Sequence, residues 1–195
     1  GILLEQINNH YNTLVKELKN KHTERSAFEA SWLAHAIVDG LTPAHHYPFE
    51  QELERLRGEG KETRTTVAKK VIVPAETKIE LVHKNWDVWG AKGLLTTHFL
   101  FEMGAAMLIA PMSKQFARPS RYDIKAILHL GLDEYFKRTA REIAMLDMYE
   151  NFYKKGWTRK LSTQVRQELA PRMGKTVTLA WYLAAKDAGL SSPEV

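Results

Sequence analysis

Phe28-Glu-Ala-Ser-Trp32-Leu33-Ala-His35-Ala36-Ile37-Val38-Asp39-Gly40-Leu-Thr-Pro43-Ala-His45-His46 reads as a helix that carries metal-ligand side chains into a turn. Phe28, Trp32, Leu33, Ala36 and Ile37 recur at the 3.6-residue period of an amphipathic helix, and Thr23 and Glu24 supply its start signals. His35 and Asp39 are four residues apart, so an imidazole and a carboxylate share one face of that helix and can grip one ion. Gly40 and Pro43 are expected to end the helix and fold the chain back, which brings His45 toward the same pocket.

The same period runs outward in both directions. Ile2, Leu3, Ile7, Leu14 and Leu18 mark an earlier helix, charged enough to differ from an apolar leader segment. Residues 48–57 read as a short charged helix, and further helices are expected at about 75–89 and 91–110. A long one follows from Pro119-Ser120 to about Lys155, and a last one spans about 162–188, bent at Pro171 and closed by Gly189. Only 58–74, polar and β-branched, breaks the pattern, and it is expected to be a mobile excursion from one helical domain spanning 1–195. The fold class is therefore all-α, a single-domain multi-helix bundle. The most apolar stretch, Gly93 to Met112, contains His98 and Glu102 and reads as a buried helix rather than a membrane span.

His98-Phe-Leu-Phe-Glu102 repeats the spacing of His35 and Asp39. Five of the eight histidines (His35, His46, His83, His98, His129) have Asp or Glu four residues later, where random placement gives about one. His46/Glu50 and His83/Asp87 suit exposed helix pairs, and His129/Asp133 is a reserve pair. His35 and His98 lie among apolar neighbours, where an unpaired charge is costly. Imidazole nitrogen and carboxylate oxygen are ordinary zinc ligands, and three of them leave a fourth position for water. The chain has no cysteine, so any metal must be held by His, Asp and Glu.

The order His35-x3-Asp39-x5-His45, then His98-x3-Glu102, with Pro43 two residues before His45, resembles the zinc-dependent phospholipase C and single-strand-specific nuclease superfamily. The resemblance covers mainly residues 30–49 and 94–104. It implies an all-helical fold with up to three zinc ions, in which Asp39 bridges two of them and His35 ligates one of that pair. His45, His98 and Glu102 would make the remaining site. His10 would stand for the family's first-helix ligand; no Asp precedes Asp39.

Charge is uneven. Residues 1–110 hold 13 Lys/Arg against 14 Asp/Glu, and residues 111–195 hold 15 against 9. Seven basic residues fall within 154–175 (Lys154, Lys155, Arg159, Lys160, Arg166, Arg172, Lys175), a patch suited to an anionic membrane surface or nucleic acid. Tyr153 and Trp157 beside it suit either base stacking or the core, whereas Trp86 and Trp89 read as packing residues. No zincin motif or P-loop is present, and a single Glu80-x-x-His83 does not make a di-iron bundle. Three functional expectations remain. The first is a zinc-dependent phosphoester hydrolase acting on phospholipid head groups or nucleotides. The second is a non-catalytic metal-binding or structural protein on the same scaffold. The third is a helical module that binds nucleic acid or an acidic partner through the basic patch.

Overall fold

A computed structural model describes residues 2–190, and within them every regular element is helical. Helices α1 (Ile2–Lys19) and α2 (Thr23–Leu41) form a hairpin whose turn passes through Lys21 at φ 56°. Gly40 does not end α2. It lies buried inside the helix, where a Cβ would stand 2.6 Å from both Leu3 and Phe136, so its missing side chain allows close packing rather than a turn. The helix stops at Leu41, and Pro43 opens a 3₁₀ turn, Pro43–His46.

Short helices α3 (Phe49–Arg57) and α4 (Val67–Val71) follow, then α5 (Lys78–Trp89) and α6 (Leu94–Ile109). Near the end of the 58–74 segment Val73 is fully buried with Leu53, Val88 and Leu94, and the Asn85 amide bonds both the N–H and the carbonyl of Val73 at 3.0 Å. Arg57, its side chain almost wholly buried, bonds Glu59 at 2.8 Å and the Lys69 carbonyl at 2.6 Å. Trp86 and Trp89, read above as packing residues, are instead 67% and 45% exposed, because Val88 is the residue of that helix that faces the small core.

The long helix expected over 120–155 is broken. Helix α7 (Arg121–Ala144) starts at a Ser120/Asp123 capping box and kinks at Gly131 (φ 75°). The chain then turns through Asp147 (φ 48°) into α8 (Met148–Lys155). Glycine reaches positive φ without steric cost, and Asp is among the few other residues that tolerate it. Helix α9 (Arg159–Gln164) passes through a π-helical turn at Val165–Leu169 into α10 (Ala170–Asp187). Pro171 directly follows that π-helical turn inside a continuous helical run, where the lack of an N–H interrupts the ladder. Gly189 at φ 78° caps the end, with its N–H on the Lys186 carbonyl.

The main core draws on α1 (Ile7, Leu14), α2 (Leu33, Ile37, Leu41), α6 (Phe101), α7 (Ile127, Ile143) and α10 (Leu179, Ala180), each 3% exposed or less. Removing a buried Phe such as Phe101 costs about 3–5 kcal/mol.

Candidate metal centre

The site is assembled from the 3₁₀ turn and α6. Thr42 ends α2 with its N–H on the Asp39 carbonyl, and its hydroxyl donates to the Val38 carbonyl at 2.8 Å. The His45 N–H returns to the Thr42 carbonyl at 3.0 Å, and His46 Nε2 reaches the Gly40 carbonyl at 2.7 Å. These bonds tie down the turn and aim His45 at α6. There His98 and Glu102, one turn apart, complete a group whose ligand atoms all lie within 4.8 Å of one another. Glu102 Oε1 is 2.8 Å from His45 Nε2 and 3.1 Å from His98 Nε2. The two imidazoles stack with centroids 5.3 Å apart and planes 4° from parallel.

Aromatic rings close the inner side. Phe49 lies 5.3 Å from the His98 ring and Tyr149 meets it edge-on at 6.4 Å. Burial lowers the His98 pKa below its ordinary value, with the Glu102 carboxylate opposing, which favours the neutral imidazole. Neutral imidazole is the form that ligates metal. Its Nδ1 is buried with no protein partner, as is the Tyr149 hydroxyl, whose pKa burial pushes up to about 12.

The other expected ligands stand apart from this group. His35 is 61% exposed and 3.3 Å from Asp39, so apolar neighbours in sequence do not bury it: Leu33 and Ile37 face the core while His35 faces outward. His10 bonds Glu29 at 2.7 Å and stacks on Trp32, whose edge meets the His35 ring. Glu29 is only 4% exposed, and nothing in its spacing singles it out as the partner of His10. Asp39 is nearer the candidate centre: it and Glu102 both line a cavity of about 580 Å³ between α2, α6 and the α10 region. The other walls are largely apolar, with Val38, Phe101, Ala105, Ile109, Phe116, Leu169 and Met173 among them. Of the other histidine pairs, His129/Asp133 stays away from the centre, with Asp133 accepting a bond from Asn8 at 3.2 Å.

The basic patch at 154–175 is partly spoken for. Lys154 pairs with Glu150, Arg172 with Glu142 and Glu168, and Lys175 with Asp123. Trp157 belongs to the core face, stacked on Phe101 at 5.7 Å. No helix among the described residues is long and apolar enough to cross a membrane. No protein-family model matches the chain, and comparisons with curated proteins and with solved structures returned no match.

Proposed function

We propose that the protein is a zinc-dependent phosphoester hydrolase, with His45, His98 and Glu102 as metal ligands on a fold of the phospholipase C/nuclease kind. One observation carries the reading: two imidazole nitrogens and a carboxylate oxygen from two separate elements lie within 4.8 Å of one another, and Glu102 among them also lines a cavity of about 580 Å³. The donor set suits zinc, since ligand atoms 2.0–2.2 Å from a tetrahedral ion stand about 3.3 Å apart. The 2.8 Å and 3.1 Å separations need only a slight opening. When bound, zinc supplies Lewis acidity toward a phosphoryl oxygen and activates a water for attack at phosphorus.

The chain's own residues do the rest. The tied 3₁₀ turn orients His45, and burial favours the unprotonated, ligating form of His98. The apolar cavity walls exclude water from the substrate's far end. Asp39, facing the same cavity, is positioned to accept a proton or a second ion. Between the two substrate classes, the apolar walls favour a phosphoester with an apolar tail, a phospholipid, over a nucleotide.

The separation of His35 and His10 from the three-residue group favours a second reading, a scaffold that binds one metal without turnover. Assay of the zinc-loaded protein on a water-soluble phosphodiester and on short-chain phosphatidylcholine separates the two. Hydrolysis that is lost in Glu102→Gln supports the hydrolase. A zinc-loaded protein inert on both substrates supports the scaffold.

A further inference from the structure

Helix α6 carries apolar side chains well beyond the face it buries, so after it has supplied the core, the cavity wall and the candidate ligands His98 and Glu102, apolar side chains remain facing solvent. Phe99, Leu100, Met103 and Met107 are 58%, 42%, 39% and 70% exposed. Phe99, Met103 and Met107 are spaced by four and make one line along the helix. At 100° per residue the adjoining sector holds Ala106 and Ala110, both exposed and both on the cavity rim. The apolar line therefore meets the cavity rim at Ala106 and Ala110, with the half-exposed Glu102 on the same rim toward the N-terminal end.

Cations follow its C-terminal end in the chain. The chain leaves α6 at Ile109 and begins the next turn, Lys114–Ala117, within a few residues, and Phe116 of that turn lines the cavity. Lys114 and Arg118 are exposed, and among the described residues neither is in an ion pair. That sets them apart from the cations of 154–175 that already have acidic partners.

We infer that this face is a docking surface for anionic membrane, with Phe99, Leu100, Met103 and Met107 entering the lipid while Lys114 and Arg118 meet the head-group phosphates. An interfacial helix lies in the membrane plane with its apolar side sunk roughly 5–10 Å, and it needs no spanning length. Charge complementarity selects the occupant. A second copy of this chain carries a net charge of +5 and complements Lys114 and Arg118 less well than anionic head groups do, and a nucleic acid would leave the methionine line in water. The inference stands on the surface alone and does not require the hydrolase reading. If both hold, the docked protein presents its cavity to the bilayer.

The test is sedimentation of the full chain with phosphatidylcholine vesicles, with and without phosphatidylserine, in chelator so that neither metal nor turnover contributes. The protein should sediment with the phosphatidylserine vesicles and be released by high salt. Each basic residue near an anionic surface changes partition about five-fold. Lys114→Glu with Arg118→Glu should therefore lower it more than ten-fold, and Met103→Ser with Met107→Ser at least ten-fold, with thermal unfolding unchanged. Wild-type protein left in the supernatant would overturn the inference, as would either double variant partitioning like wild type. So would release by a single-stranded oligonucleotide at low salt, or a dimer in solution that the Met103/Met107 substitutions dissociate.

Discussion

Glu102 is the hinge of the candidate centre, because one of its oxygens faces both imidazoles. The resemblance makes Asp39 the bridging carboxylate and so the more damaging one to lose; a centre built on the three grouped residues predicts the opposite order. The Asp39 carboxylate pairs with His35, at 3.3 Å, and not with His45 or His98. Glu102→Gln is therefore expected to lower zinc per chain by at least ten-fold in affinity, as loss of a direct ligand, and Asp39→Asn to change it little. Zinc content after dialysis at fixed free zinc checks this, and equal losses would restore Asp39 to the bridging role. His98 adds a pH dependence. Its folded pKa lies below its ordinary value of about 6.5 because burial disfavours the charged form. Below pH 6.5 the unfolded chain therefore binds the proton that the folded metal-free protein refuses, and stability falls as the pH drops toward the folded value. Chemical denaturation of metal-free protein at pH 7.5 and pH 5.5 should show a loss at the lower pH that His98→Gln reduces.

At the scale of elements, spacing reveals ligand pairs better than it reveals their surroundings. His98/Glu102 and His45 were legible because a four-residue interval and a proline turn constrain direction. The exposure of His35 was not, since its neighbours Leu33 and Ile37 point elsewhere around the same helix. Helix α6 has apolar residues all round apart from Thr96, Thr97, His98 and Glu102, so its sequence does not say which apolar side meets solvent. The break at Asp147 escaped because it rests on a left-handed non-glycine residue, and nothing in the local sequence flags that conformation. Gly40 shows the same gap: read as a stop, it serves as a contact. Gly104 does likewise, since its Cβ position is occupied by the Trp157 indole. Gly104→Ala must push Trp157 off Phe101, with an expected cost of about 1–3 kcal/mol. Urea unfolding measures the cost, and a red shift in tryptophan emission reports the displacement.

At the scale of the molecule, α2, α6, the Lys114–Ala117 turn and the start of α10 surround a cavity, and Glu102, one of the three candidate ligands, stands on its wall. Such a cavity ranks among ordinary small-molecule sites in size. Ala105 lies on its wall and is 8% exposed, so Ala105→Phe should fill part of the space. The expected outcome is unchanged zinc binding with a sharp rise in KM for a long-chain phosphoester and little change for a short one. Equal effects on both substrates would mean that the cavity does not receive the tail.

Zinc-edge X-ray absorption on the stoichiometrically loaded protein tests the centre most directly. The account predicts a first shell with two imidazole nitrogens and a carboxylate oxygen at about 2.0–2.2 Å. His98→Ala should remove one imidazole from that shell while leaving the helical fold intact by circular dichroism. A spectrum unchanged by that substitution, or a shell without imidazole, would contradict the assignment of His45, His98 and Glu102 as the metal site.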